Sequence, residues 1–215
     1  MLFPADLPLS PLILPLLLLA SPTLSQNEAL SGSGVAERYW DCCKPDCSWP
    51  AKAAFNKPVA TCNKRNEVLS DFSLGSACGG AEAYACADQL PWAVNDTFAY
   101  GFAGAFITQH ASDFWCCACY ELTFTSERLK GKKMVVQANN AAFDVTQVNR
   151  FPLAIPGGNT SYAGACARQY DVPNEVFGVD NRGIGSREGC DRLPESLRDG
   201  CRWRFDWFED EPTPT

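Results

Sequence analysis

The chain has 215 residues, a net charge of −7 and a single histidine. That length holds one sizeable domain or at most two small ones, and the acidic balance excludes nucleic acid and anionic membrane as partners, because both would repel it. The lone His110, in "TQHASD", argues against Ser-His-Asp and Cys-His catalysis, which need an imidazole paired with a nucleophile, and reads as a surface loop residue.

Residues 1–25 carry an apolar run rich in Leu and Pro from Leu7 to Ala20, followed by small residues, and read as a secretory signal peptide. A run of fourteen residues is too short to cross a bilayer, and no later stretch is long and apolar enough to do so. The mature chain is therefore expected to be secreted, extracellular and soluble. All twelve cysteines lie beyond this segment, which in an exported chain favours a disulfide framework. "WCCACY" invites a zinc reading, but its spacing matches no common zinc module and histidine ligands are lacking, so no metal is expected. Asn95 and Asn159 open Asn-X-Ser/Thr sequons and are candidate glycosylation sites.

Short apolar or alternating runs recur along the mature chain: "CYELTFT" (119–125), "KKMVVQA" (132–138), "EVFGVD" (175–180) and "RWRFDWF" (202–208). Gly, Asn and Ser punctuate them, which predicts short strands with long connections. The stretches from Cys62 to Cys78 and from Pro152 to Gly158 read as loops. "LPESLRDG" (193–200) is the one candidate for a helix of any length. "EDEPTPT" at 209–215 reads as a disordered tail or the start of a linker. A mostly β domain over 35–208, stapled by disulfides, is expected.

Specific motifs sharpen this. "RYWDCCKPDCSWP" (38–50), "YACADQLPWAVNDTFAYGFA" (84–103), "WCCACYELTFTS" (115–126), "GKKMVVQ" (131–137), "IPGG" (155–158) and "GCDRLP" leading into "GCRWRFDWF" (189–208) resemble, in order, the signature segments of glycoside hydrolase family 45, the small secreted endo-β-1,4-glucanases. The resemblance implies an all-β fold, a six-stranded double-psi β-barrel with long disulfide-stapled loops and a groove for a glucan chain. It also implies inverting hydrolysis of internal bonds in cellulose or a related β-glucan by a monomer without cofactor.

In that mechanism one carboxylate activates water while a carboxylic acid across the scissile bond protonates the leaving oxygen, the two lying roughly 6.5 to 9.5 Å apart. By its place in the signature, Asp41 is the general base. Tyr39 and Trp49 are candidate platforms for sugar faces, with core packing as the other reading of each. Lys44 is a candidate partner for a sugar hydroxyl or a carboxylate, or else a surface lysine.

The sequence departs from the family pattern where the acid belongs. The family has His-Phe-Asp shortly before Ile-Pro-Gly-Gly; here the chain reads "NRFPLAIPGG", with Arg150 and Pro152 in those places. Proline cannot titrate. Asp144, in "AAFDVTQ", is the substitute acid that the sequence offers. A non-hydrolytic, expansin-like glucan-binding homologue is the alternative that Pro152 raises. Glu37, where the family has threonine, adds a carboxylate near Asp41 and is expected to raise its pKa by like-charge repulsion.

The resemblance further implies disulfides joining Cys42 to Cys166, Cys43 to Cys78, Cys47 to Cys116, Cys62 to Cys86 and Cys190 to Cys201. Cys117 and Cys119 lack their usual partners, which the family carries in a C-terminal segment absent from this sequence. The domain is thus expected to be C-terminally short.

Overall fold

A computed structural model of the chain describes residues 30–159, 163–179 and 182–209. The signal peptide expected at 1–25 and the tail at 210–215 lie outside the described residues.

From Ser33 onward the chain is mostly β. Strands β1 (Val35–Tyr39), β4 (Trp92–Asn95), β5 (Phe98–Ala105), β6 (Cys119–Thr123), β7 (Lys133–Ala141) and β8 (Arg150–Ala154) form a six-stranded sheet in the order β1-β8-β5-β7-β6, with β4 paired to β5. β2 (Thr61–Cys62) and β3 (Tyr84–Ala85) form a separate two-stranded ladder. The pairs β1·β8 and β5·β7 are parallel; β5·β8, β4·β5 and β6·β7 are antiparallel. Among the described residues three α-helices accompany the sheets: α1 (Ser112–Trp115), α2 (Ala163–Tyr170) and α3 (Glu195–Asp206).

The period-2 pattern decides which face of each strand is buried. Ala99 and Ala103 of β5, Met134, Val136 and Ala138 of β7, and Leu153 of β8 are fully buried in a core shared with Trp115, Leu129 and Phe208. The small residues of β5 permit close layering. A Cβ on Gly101 would lie 2.5 Å from Met134 Cε and 3.2 Å from Pro91 Cα. A second core gathers Trp40, Phe177, Ile184, Leu193 and Leu197 around the Cys42–Cys166 and Cys190–Cys201 bridges.

Three segments differ from the sequence reading. "RWRFDWF" is not a strand: α3 runs through it, because Leu197, Gly200, Cys201 and Arg204 recur at helical spacing and are buried, whereas strand alternation would bury every second residue. Likewise Asn174–Phe177 is a 3₁₀ helix. The stretch opening at Pro152 is not wholly loop either, since β8 includes Pro152 and all five of its residues are buried. The ladder from β8 to β5 joins Arg150 to Phe106 and Leu153 to Ala103 and skips Pro152, which has no N–H to give.

Five disulfides join Cys42–Cys166, Cys43–Cys78, Cys47–Cys116, Cys62–Cys86 and Cys190–Cys201, with Cα separations from 4.9 to 5.7 Å. Bridges of this kind are worth about 2–5 kcal/mol each in small secreted domains. Cys117 is a half-buried free thiol and Cys119 an exposed one.

Candidate active site

The chain leaving β1 builds the site. Ala36, Trp40 and Cys42 turn inward, while Glu37, Tyr39 and Asp41, two residues apart, stay half-buried on the other side. Bridges from Cys42, Cys43 and Cys47 fix the segment immediately after Asp41 to three distant parts of the chain. The "IPGG" turn backs it: a Cβ on Gly158 would stand 3.0 Å from the Tyr39 carbonyl carbon, so the turn lies directly against the β1 backbone. The buried Arg204 holds that turn to α3 by donating to the carbonyls of Gly157 (3.2 Å) and Ile184 (2.6 Å).

Asp41 faces a small, partly enclosed cleft lined also by Tyr39, Gln89, Asn139, Asn140 and Ala154. It is the one carboxylate among the lining residues. Its Oδ1 accepts the Cys43 N–H at 2.9 Å, which fixes the side chain and favours the ionised form. Burial outweighs that bond and pushes the carboxyl pKa up from 3.8 to about 6. Glu37 is not among the causes, so the like-charge repulsion expected from the sequence is replaced by desolvation.

A β-bulge shapes the opposite wall. Ala138 pairs with Ala103 and Asn140 with Gly104, which leaves Asn139 as the extra residue and turns two successive amides to the cleft. Asn140 Oδ1 accepts the N–H groups of Asp46 (2.8 Å) and Ala141 (3.0 Å), and its Nδ2 donates to the Tyr39 hydroxyl oxygen at 3.4 Å. Asn139 Nδ2 donates to Gln89 Oε1 at 2.8 Å, while its buried Oδ1 has no hydrogen-bond partner within the protein. Burial first, and the Asp41 charge second, raise the Tyr39 phenol pKa, so it stays a neutral donor beside the carboxylate. Sequence reasoning missed Gln89, Asn139 and Asn140. The signal was "QANNA", a pair of amides ending an apolar strand.

Two other residues chosen from the sequence lie elsewhere. Lys44 is buried, and its ammonium donates to the carbonyls of Phe72 (2.6 Å) and Leu74 (2.8 Å) while sitting 3.6 Å above the Trp49 ring. Its charge thus ties a loop to the β1 segment and does not line the cleft. The ring of Trp49, half-buried, presents one face to Lys44.

Along β1 and β8 runs a second polar group. The Arg150 guanidinium, 6% exposed, donates to Glu37 Oε2 and, at 2.5 Å, to Asp144 Oδ1. Asp144 is 73% exposed, and the guanidinium bond holds its pKa below the usual carboxylate range despite some burial. A proton donor needs the opposite shift. Both sequon asparagines are exposed; the Asn95 side chain closes a turn with Thr97, and the Asn159 carbonyl accepts the Trp40 N–H at 2.8 Å.

A mostly β, disulfide-stapled domain with a half-buried, proton-hungry carboxylate in an amide-lined cleft is the build of a polysaccharide hydrolase. The sequence matches the profile of Glycosyl hydrolase family 45 over residues 33–215, and the chain belongs to that family. It is 48% identical over 200 residues to the "Putative endoglucanase type K" of Fusarium oxysporum, covering 93% of this chain and 52% of that protein. It is 43% identical over 197 residues to the "Endoglucanase" of Cryptopygus antarcticus, covering 92% and 87%. The crystal structure of the cellulase from that Antarctic springtail superposes with a TM-score of 0.81 at 44% identity, over 86% of this chain and 88% of that one.

Proposed function

We propose that the chain is an endo-β-1,4-glucanase, a glycosidase that hydrolyses internal bonds of cellulose or a related β-glucan with inversion. The observation that carries the reading is Asp41: fixed by the Cys43 N–H, lining the cleft and raised to about 6, it has the affinity for a proton that a base activating water near neutral pH requires. The water attacks the anomeric carbon from the Asp41 side, its proton passes to Asp41, and a carboxylic acid across the bond protonates the departing oxygen. Tyr39 and the amides of Asn139 and Asn140 line the cleft with uncharged donors and acceptors of the kind that suit sugar hydroxyls. Trp49, with one ring face held by Lys44, offers at most its other face to a sugar.

We infer further that the sheet is a double-psi barrel; the parallel pairs β1·β8 and β5·β7, joined by antiparallel contact of β5 with β8, support this. Export to an oxidising compartment is supported by the five disulfides and by the absence, among the described residues, of a helix long and apolar enough to cross a membrane. There Asn95 and Asn159 are open to glycosylation. The expansin-like alternative finds less support, because the similar proteins are endoglucanases by name. The test is release of reducing ends from soluble β-glucan: the wild-type chain is expected to release them and Asp41→Asn to lose at least a hundredfold. A folded wild type that releases none overturns the reading.

A further inference from the structure

We propose that Trp92 and Tyr100, paired on the outer face of the β4·β5 hairpin, form a second contact for the glucan, a platform outside the cleft on which flat sugar faces stack. The inference rests on the glucanase reading and extends it from the reacting bond to the polymer around it.

Strand alternation builds the platform. Along β5 it buries Ala99, Gly101 and Ala103 on one side and sends Phe98, Tyr100 and Phe102 to the other. Tyr100 lies directly opposite Trp92 in the antiparallel register, so the two share that outer face. Their rings stack with centroids 5.4 Å apart, and Phe98 meets Tyr100 edge-on at 5.0 Å. The contact does not bury them: Trp92 stays 50% exposed and Tyr100 38%. Single apolar residues on a surface are ordinary, but a contiguous, mutually stacked group marks a contact site. Both ends of β4 are held in place. Pro91 packs so closely on β5 that a Cβ on Gly101 would stand 3.2 Å from its Cα, and the Trp207 indole N–H donates to the Asn95 carbonyl at 2.8 Å.

Charge and position select the occupant. Beyond Tyr100 the same row of the sheet continues to Val135 and Glu121, and Glu121 is neutralised by Lys133 at 2.7 Å. That row offers an anionic lipid or a charged peptide no free counter-charge. A β-linked glucose unit suits it: its hydroxyls lie around the rim and its C–H groups on the two faces, so an aromatic ring covers an apolar surface without stripping water from the hydroxyls. The platform is also continuous with the cleft. Gln89, which lines the cleft, precedes Trp92 by three residues, so their Cα atoms are at most about 11 Å apart. Between them, Leu90 and Phe102 pack against the second core, to which Trp40 of the cleft lining belongs. A glucan chain leaving the cleft past Gln89 therefore runs onto the Trp92 and Tyr100 rings.

The experiment compares wild type, Trp92→Ala, Tyr100→Ala and the double variant, with melting midpoints to check folding. Adsorption is measured in the cold on insoluble cellulose and on starch granules, whose α-linked chains coil and present no flat ribbon. Reducing-end release is measured on short soluble cello-oligosaccharides. The double variant is expected to adsorb to cellulose about tenfold more weakly than wild type, and each single variant about threefold, through loss of the stacking faces. Hydrolysis of the short oligosaccharides, which the cleft alone holds, is expected to stay within about twofold of wild type. Unchanged adsorption in the folded double variant overturns the proposal and leaves the glucanase reading intact. Wild-type adsorption to starch as strong as to cellulose overturns it as well, since it shows an unselective apolar face. So does self-association of wild type that the double variant loses, with cellulose adsorption unaltered, because the occupant is then a second copy. Should the double variant not fold, the single variants carry the same criteria. A folded wild type that releases no reducing ends overturns the glucanase reading, and the adsorption arm then decides the platform by itself.

Discussion

Asp41 Oδ1 and the Cys43 N–H are joined at 2.9 Å, yet the carboxyl they define binds its proton more tightly than a free aspartate does. One bond to the charged form does not offset the loss of water around it. Because the folded pKa lies above the unfolded one, the folded state holds the extra proton between about 3.8 and 6. Below that window both states are protonated and Asp41 costs the fold nothing. Above it the buried charge costs at most about 3 kcal/mol. Asp41→Asn is therefore expected to be more stable than wild type at pH 7, by up to about 3 kcal/mol, and to lose that advantage by pH 4. Urea unfolding at the two pH values measures it; an equal or smaller stability at pH 7 contradicts the assigned burial.

The same pKa sets the acid limb of catalysis. A base must be ionised, so kcat/KM on β-glucan is expected to fall about tenfold per pH unit below about 6, where Asp41 takes up its proton. The breakpoint belongs to the free enzyme and is read from initial rates at substrate well under KM. A limb centred near 4 would mean that Asp41 is as hydrated as an ordinary aspartate.

How much of this was legible in the sequence differs by residue. The strands "CYELTFT" and "KKMVVQA" show their alternation locally, and they became β6 and β7. "RWRFDWF" misled because its aromatic and charged residues alternate, while the helix is set by residues farther back, from Leu197 onward, that pack at a period of 3.6. Pro152 signalled a loop by its chemistry; only the register with β5, which passes it over, lets a strand contain it. In the site, Asp41 stood out through its motif, but the amide pair in "QANNA" does not show by itself the bulge that turns Asn139 and Asn140 to the cleft. The pairing of Glu37 with Arg150 spans 113 residues of chain, beyond any reading of spacing.

Asp144 meets Arg150 at 2.5 Å but is 73% exposed, so water screens most of the attraction. Its lowered pKa adds stability at neutral pH that fades as pH falls through the carboxylate range. Asp144→Asn is expected to cost no more than about 1 kcal/mol at pH 7. The variant should retain β-glucan activity within about threefold, since a carboxyl that gives up its proton so readily makes a poor donor. A hundredfold loss of kcat with the fold intact would restore Asp144 as the acid.

Lys44 shows how a motif residue can serve the fold alone. Its ammonium satisfies the carbonyls of Phe72 and Leu74, and its stem and charge cover the Trp49 ring. Lys44→Met keeps the packing volume but strands two carbonyls and removes the cation from the ring, at about 2–4 kcal/mol in total. The melting midpoint should drop accordingly. Because Lys44 touches neither Asp41 nor the amide wall, kcat and KM of the protein that remains folded are expected to stay within about threefold of wild type, measured well below the new midpoint. A rise in KM of tenfold or more at unchanged kcat, without loss of stability, would instead make Lys44 a contact for the sugar chain, and the bonds to Phe72 and Leu74 secondary to it.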